Sequence, residues 1–222
     1  MTLRPLSDIS AADWFVGTDV RELGPPGFEA YARVLHPWLE SATDTATERA
    51  DGYLPDDELA SLCDVLARHT ATPEQCFFGL WDGYGDIYGG DSVAFLTTFT
   101  GSPRWPGPIF SRPKPPAPPP PAFPPSVLNG PRLSLPNRDF LLFTGPLAQA
   151  GDWGAIGYGP AIPRDLNSPN LAWPADHSWF FATEIDAEWT GVGGSAAMIN
   201  ELVQDDRLEI VRTHRDNSGD LP

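Results

Sequence analysis

The sequence predicts an α+β fold: a single mixed domain with a mainly antiparallel sheet, about two main helices and a long proline-rich insertion. Strand-like and helix-like segments are intermixed without a sustained β-α alternation, and no internal repeat is present. The 222 residues are enough for one full-sized core. We therefore expect residues 1–102 and 137–213 to be two parts of one domain, separated by an insertion at 103–136 and followed by a loose tail at 214–222.

One helix is strongly indicated on the N-terminal side, within "LPDDELASLCDVLARHTATP" at 54–73. Its apolar residues recur at helical spacing, and Pro55 and the three acids after it suit a helix start, where the helix dipole is positive. "TPEQ" at 72–75 has the capping-box pattern and predicts a short turn. The aromatic run "CFFGLW" at 76–81 is typical of a strand.

Three other N-terminal segments complete this part of the prediction. "FEAYARVLH" at 28–36 fits a strand or a helix, and its periodicity leaves both open. "VAFLTTF" at 93–99 has the β-branched and aromatic content of a strand. The segment "WDGYGDIYGG" at 81–90 alternates glycine with aromatic residues and predicts a turn-rich loop.

The C-terminal side is predicted to contain three strands and a helix. "RDFLLFTGPL" at 138–147 indicates a strand that ends at a Gly-Pro turn. "SWFFATEIDAEW" at 178–189 alternates apolar with polar residues and predicts one half-buried strand. Ser195 is expected to cap a helix that extends to about Val203, and "RLEIVRT" at 207–213 predicts a last strand.

The net charge of −16 restricts the classes of partner. A protein that binds nucleic acid offers phosphate a basic face, and an acidic membrane surface has the same requirement. We therefore expect no nucleic acid and no membrane as partners. The partners that fit this charge are a basic protein, a cation or a neutral small molecule.

The proline-rich middle differs from both flanks in charge. Residues 103–136 contain 4 basic and no acidic residues, whereas the rest of the chain contains 10 basic and 30 acidic residues. The run "RPKPPAPPPPAFPPS" at 112–126 favours an extended polyproline conformation. We expect this segment to lie as a strap on the acidic body, anchored by Trp105, Phe110 and Phe123; a linker between two domains is the alternative.

Three carboxylates offer the best candidates for catalysis. In a strand over 178–189, Glu184, Asp186 and Glu188 would share one face, some 6 to 7 Å apart. Such an arrangement suits a hard cation, or two carboxylates that divide the acid and base roles of a hydrolase. A solvated strand face opposite a buried one explains the same pattern without any chemistry.

The aromatic loop is the best candidate for a binding surface. Phe78, Trp81, Tyr84 and Tyr88 lie within "CFFGLWDGYGDIYGG". Tryptophan and tyrosine are enriched at the energetic centres of protein interfaces. These side chains would therefore either contact a partner protein or line an aromatic pocket for a small molecule.

Other motifs predict no cofactor and no metal. "GVGGSA" at 191–196 fits a dinucleotide fingerprint, but the strand before it is acidic and the sequence after it has no room for the remaining strands of that fold. Cys63, His69 and Cys76 do not have zinc-site spacing, and we interpret the two cysteines as buried structural thiols. No serine-hydrolase elbow is present.

Two stretches resemble known proteins. "TPEQCFFGLWDGYG" at 72–85 and the segment from "SPNLAW" to "INELV" at 168–203 are similar to segments of an uncharacterised actinobacterial protein family of unknown function. An "LP" that enters a helix, followed by a tryptophan- and glycine-containing segment in an acidic chain, is similar to SUKH-type immunity proteins. This second resemblance implies a protein that neutralises a toxin partner.

These observations lead to one main functional hypothesis and two alternatives. The main hypothesis is a non-enzymatic, acidic, cytoplasmic binding protein of the immunity type that neutralises a basic partner. The alternatives are a metal-dependent or carboxylate-based hydrolase that uses residues 184–188, and a small-molecule binder with an aromatic pocket. The cytoplasmic location is expected because the first ten residues lack the apolar core of a secretory signal and only two cysteines are present.

Overall fold

The computed structural model describes residues 2–21, 23–39, 48–89, 119–159 and 161–215. Within them, three helices are α1 at Asp56–Arg68, α2 at Pro125–Leu128 and α3 at Ala196–Val203. The strands are β1 at Arg4–Pro5, β2 at Ala30–Leu35, β3 at Trp38–Leu39, β4 at Glu48–Arg49, β5 at Cys76–Trp81, β6 at Leu133–Leu135, β7 at Arg138–Gly145, β8 at Leu171–Pro174, β9 at Phe180–Thr183, β10 at Trp189–Gly194 and β11 at Glu209–Thr213.

Nine of the strands form one sheet in which the neighbouring strands are antiparallel. Its order is β1-β7-β5-β8-β9-β10-β2-β11, with β6 paired to β7, while β3 and β4 form a separate ribbon. The predicted α+β class with a mainly antiparallel sheet is confirmed. Strands that precede the proline-rich segment are inserted between strands that follow it. Strand β5 lies between β7 and β8, and β2 lies between β10 and β11.

The sheet is covered on both faces, which explains its uninterrupted apolar strands. In β7, Leu141 and Phe143 belong to one core cluster, whereas Phe140 and Leu142 belong to a second one. Successive side chains of a strand point to opposite faces, so the two clusters lie on opposite sides of the sheet. A strand that is buried on both faces needs an apolar residue at nearly every position.

Different elements cover the two faces. Helices α1 and α3 pack on the first face, where Leu62, Leu66 and Met198 are fully buried. Residues 6–28 of the N-terminal segment pack on the second face, and the Phe15 ring lies 4.9 Å from the Trp173 ring. The order of the layers is therefore helices, sheet and N-terminal segment.

Most predicted elements are found at the expected positions. The helix within 54–73 is α1, and the strands predicted at 76–81, 138–147 and 207–213 are β5, β7 and β11. The ambiguous segment at 28–36 contains a strand, β2. The Ser195 hydroxyl oxygen accepts a hydrogen bond from the Met198 N–H at 3.1 Å, so the predicted cap of α3 is confirmed.

The prediction of one strand over 178–189 is wrong. This segment contains β9, a turn and the first residue of β10, and the Ala187 N–H donates to the Glu184 carbonyl oxygen at 3.0 Å within the turn. Every residue of β9 is buried, because the sheet is covered on both sides at this point. The polar alternation that suggested a solvated strand face belongs instead to a turn, where acidic side chains also reach solvent.

The end of the proline-rich segment is anchored by buried contacts. Phe123 is buried, and its ring lies 5.3 Å from the Phe143 ring. The Ala122 N–H donates to the Ile87 carbonyl oxygen at 2.8 Å, and the Ala122 carbonyl oxygen accepts from the Ile156 N–H at 2.7 Å. Apolar packing and backbone hydrogen bonds attach this end, together with one ion pair between Arg132 and Asp82 at 3.0 Å. Trp105, Phe110 and the strand predicted at 93–99 lie outside the described residues.

Among the helices described here, each is too short or too polar to cross a bilayer.

Candidate functional site

The three candidate carboxylates lie in the turn between β9 and β10, where an arginine binds two of them. The Arg138 guanidinium contacts Glu184 Oε1 at 2.7 Å and Asp186 Oδ2 at 3.3 Å. The Asp186 side chain is 81% exposed, and Glu188 is exposed as well. Glu184 and Asp186 therefore share one arginine, and the hydrolase that uses residues 184–188 stays a prediction.

Arg138 also joins this turn to the aromatic loop. Its guanidinium carbon lies 5.5 Å from the centre of the Trp81 ring, within cation–π range. The two features that the sequence singled out therefore meet at one end of the sheet, where β5 ends and β7 begins. No local pattern pointed to Arg138, because its partners are 46 and 57 positions away in the chain.

The aromatic loop is held from within, and one of its residues is not on the surface. Phe78 is fully buried in the core, so it presents no surface to a partner and this part of the prediction is corrected. The reason is the position of Phe78 in β5, whose side chain points toward the helix-covered face. Trp81 is half-buried, and its backbone N–H donates to Asn170 Oδ1 at 2.9 Å.

The two tyrosines of the loop make different contacts. Tyr84 donates from its hydroxyl to the Gly52 carbonyl oxygen at 3.3 Å and accepts from Asn170 Nδ2 at 2.9 Å, and burial raises its pKa. Tyr88 is 50% exposed and donates to Asp82 Oδ1 at 2.6 Å. Tyr88 is therefore the most exposed aromatic residue of the predicted surface, and Tyr84 is a structural one.

The cysteines and histidines do not assemble into a metal site. Cys63 and Cys76 are buried and free, and burial raises the pKa of each thiol to about 12. His69 is bound to Glu201, with 2.6 Å between Nε2 and Oε2. Within the described part of the chain, no group of three or more His, Cys, Asp or Glu side chains is placed to hold a metal ion.

"GVGGSA" does not form a phosphate-binding loop. Residues 191–194 lie within β10 rather than in a turn. A β-carbon on Gly193 would lie 2.6 Å from the Phe28 ring, and one on Gly194 would overlap the Met198 side chain. These glycines allow close packing of neighbouring side chains against the strand.

His36 forms a fully buried polar network behind the acidic turn. Its Nδ1 lies 2.7 Å from the Ala50 carbonyl oxygen, which can only accept, so Nδ1 carries the proton. Its Nε2 then accepts from the Thr190 hydroxyl at 3.0 Å, and Thr190 is bonded to Thr183 at 2.8 Å. Burial is the main cause that lowers the pKa of His36 below its ordinary value.

We expect the fold to lose stability as the pH falls through and below about 6.5. The His36 pKa is lower in the folded chain than in the unfolded chain, so the unfolded state binds the proton first. Chemical denaturation at pH 7.5, 6.5 and 5.5 measures this dependence. The His36→Gln variant should be less stable at pH 7.5 and should show a smaller change between pH 7.5 and 5.5. An equal pH dependence in both proteins would contradict the assignment.

A groove lined by carboxylates lies around the start of α1. It consists of two adjoining cavities of about 420 and 600 Å³, which share the lining residues Asp56, Asp165, Leu166 and Ser168. We call this surface the acidic groove. Six carboxylates line it: Asp56, Asp57, Glu58, Asp64, Asp152 and Asp165. Neither cavity has a lysine, arginine or histidine among its lining residues.

The carboxylates of the acidic groove are mostly unpaired. Asp64 contacts Arg207 at 2.8 Å, whereas the other five form no ion pair with the residues that the structure describes. The floor beneath them is apolar, with Leu59, Cys63 and Leu147 buried along it. In the sequence, the acids at 56–58 indicate only a helix start. The groove was missed because its other parts come from residues 147–152 and 165–168.

Searches of protein-family models, curated proteins and solved structures find nothing that matches this chain at a significant level.

Proposed function

We propose that this chain is a non-enzymatic binding protein whose acidic groove takes a basic protein partner. One observation supports the proposal most strongly: six carboxylates line one continuous groove that has no basic lining residue. Five of these carboxylates lack a counter-charge within the described chain, so a cationic partner can supply it. The net charge of −16 also attracts a basic protein over long distances.

The shape of the groove suits a segment of protein better than a lone metal ion. Its two cavities together extend from residue 53 to residue 64 on one side and along 147–152 and 165–168 on the other. The buried apolar floor would contact the alkyl stems of lysine or arginine, while the carboxylates at the rim bind their charged ends. A basic amphipathic segment offers both kinds of contact.

Binding of this kind would serve a protein that neutralises a basic toxin, as in the immunity-type hypothesis. Opposite charges accelerate the encounter of two proteins, and the rate falls as salt screens the charges. The end of the sheet at Trp81 also contains Tyr88 and Arg138. Tryptophan, tyrosine and arginine are the residue types that contribute most to binding energy at protein interfaces. Tyr88 does not line the groove, so a partner would contact it only through a part of the interface that extends beyond the groove.

Neutralising the groove is expected to weaken binding of a cationic probe by at least about tenfold. The groove variant carries Asp56→Asn, Asp152→Asn and Asp165→Asn, and each change removes one exposed carboxylate from the lining. Loss of three ion pairs at about 0.5 to 1 kcal/mol each corresponds to this factor. The probe is a synthetic amphipathic peptide of alternating lysine and leucine, titrated calorimetrically into the full chain at about 50 mM salt.

The control variant has the same net charge but an unchanged groove. It carries Glu74→Gln, Glu188→Gln and Asp206→Asn, three exposed carboxylates without an ion pair in the described chain. We expect this variant to weaken peptide binding by less than about threefold, since only long-range attraction is reduced. If both variants weaken binding equally, the protein attracts cations through its total charge and the groove is not a binding site.

A further inference from the structure

A cavity outside the acidic groove differs from the rest of the surface because arginines line it. Most arginines that the structure describes are neutralised by a carboxylate; these are Arg21, Arg49, Arg68, Arg132, Arg138 and Arg207. Arg212 and Arg215 have no carboxylate within ion-pair distance among the described residues, and both line a single cavity of about 520 Å³. We propose that this cavity binds a small organic anion, a phosphate or carboxylate that carries an apolar ring.

The cavity is formed where three elements meet. Its wall includes the start of β2, the end of β11 and the first residue of α3, together with residues 26–29 of the N-terminal segment. It includes only the first residue of α3, Ala196, and it shares no lining residue with the acidic groove. The proposal is therefore independent of the proposed function.

The backbone of the N-terminal segment fixes the position of Arg215. Its two terminal nitrogens donate to the carbonyl oxygens of Asp19 and Gly24. A guanidinium has five N–H donors, so three remain for a ligand. These carbonyl oxygens orient the group for binding an anion. The Asp19 carboxylate also attracts Arg215, but it lies beyond ion-pair distance and is itself bound to Arg21 at 2.9 Å.

Arg212 supplies the second cation of the cavity. One of its terminal nitrogens donates to Asn200 Oδ1, a neutral acceptor on α3. His214, next in the lining, is exposed and adds a further N–H donor. Arg212, His214 and Arg215 thus line the same cavity.

One carboxylate also lines the cavity, but it is already bound. Glu29 Oε2 accepts a hydrogen bond from the Ala196 N–H at 2.9 Å, at the N-terminus of α3. This contact places the Glu29 charge against the positive end of the helix dipole. The two arginine charges are left in excess over the single carboxylate.

Part of the cavity wall is aromatic, which indicates an organic ligand. Phe28 is half-buried there, and Tyr31 is 7% exposed with its hydroxyl donating to the Pro25 carbonyl oxygen at 2.9 Å. A free phosphate ion would occupy only a small part of about 520 Å³, a volume within the usual range of ligand pockets. An apolar ring attached to the anion would fill the remaining space beside Phe28.

The negative charge of the whole protein does not prevent this binding. At physiological salt, charges more than about 8 Å apart are largely screened. A ligand in contact with two arginines therefore interacts mainly with them.

Phenyl phosphate is a suitable probe, with inorganic phosphate and phenol as its two halves. We expect isothermal titration calorimetry on the full chain to show saturable binding of phenyl phosphate, and weaker binding of each half alone. Phosphate binding as tight as that of phenyl phosphate would overturn the role of the aromatic wall. Absence of phenyl phosphate binding up to about 10 mM would overturn the whole proposal. A Kd of that size corresponds to a binding free energy of about −2.7 kcal/mol.

The arginines are tested with three glutamine variants of equal net charge and one lysine variant that keeps the wild-type charge. Arg212→Gln and Arg215→Gln should each weaken phenyl phosphate binding by about tenfold or more, the usual effect of losing a charge-assisted hydrogen bond. Arg215→Lys, which keeps the charge, should weaken it less, and its melting temperature shows whether the fold is intact. Arg4→Gln, at an exposed position in β1, is the control and should leave binding unchanged. An equal loss in the Arg4 variant would overturn the assignment to this cavity.

Discussion

Replacing Gly52 by alanine is expected to destabilise the fold by about 3 kcal/mol or more. Gly52 has a φ of +73°, and a β-carbon there would overlap the Ile185 carbonyl oxygen and lie 2.8 Å from the Ile185 carbonyl carbon. Both are backbone atoms, which cannot move aside as a flexible side chain can. The Gly52 N–H also donates to the Ala187 carbonyl oxygen at 2.9 Å, so the substitution would separate this segment from the acidic turn.

Gly17→Ala is the matched control for Gly52→Ala. Gly17 has a similar φ of +90°, but no atom lies within 4 Å of the position that its β-carbon would take. Only the strain of the left-handed backbone remains, about 1 to 2 kcal/mol. Urea denaturation of both variants measures the difference. Equal losses of stability would show that the turn at 184–188 does not lie against Gly52.

Replacing Trp179 by alanine is expected to destabilise the fold by about 3 to 5 kcal/mol, the range found for buried aromatic residues. Trp179 is fully buried on the helix-covered face of the sheet. Its indole N–H donates to the Leu66 carbonyl oxygen at 3.1 Å, so the side chain also fixes α1 against the sheet. The acidic groove is formed partly by α1, and its geometry therefore depends on this contact.

Two further variants separate packing from the hydrogen bond. Trp179→Phe keeps most of the ring but leaves the Leu66 carbonyl oxygen without this donor, and we expect a loss of about 1 to 2 kcal/mol. Trp38→Ala removes a tryptophan that is 54% exposed and stacked under Arg49 at 4.3 Å, with an expected loss of no more than about 1 kcal/mol. If the two alanine variants lose equal stability, Trp179 is not part of the core.

The elements that could be predicted from sequence are those with local signals. Helix α1 combines a complete apolar stripe with acids at its start, and α3 follows a serine that caps it. Strand β7 is apolar at successive positions, which is typical of a strand buried on both faces. In each case the residues that determine the element are adjacent in the chain.

The features that could not be predicted depend on contacts between distant residues. The alternation at 178–189 suits a strand as well as a hairpin turn, and the hairpin is fixed by the pairing of Thr183 with Thr190. The acidic groove, the Arg138 contacts and the Arg212 cavity each join segments that are far apart in the chain. Their residue types were visible in the sequence, but their proximity was not.

The most direct test of the proposed function uses three baits and one lysate of the source organism. The wild-type chain, the groove variant and the control variant are immobilised, and the proteins retained at about 50 mM salt are quantified by mass spectrometry. We expect the wild-type and control baits to retain the same basic protein, with loss of at least about tenfold on the groove variant and release at about 0.5 M salt. Retention of no basic protein by the wild-type bait, or equal retention by all three, would contradict the account.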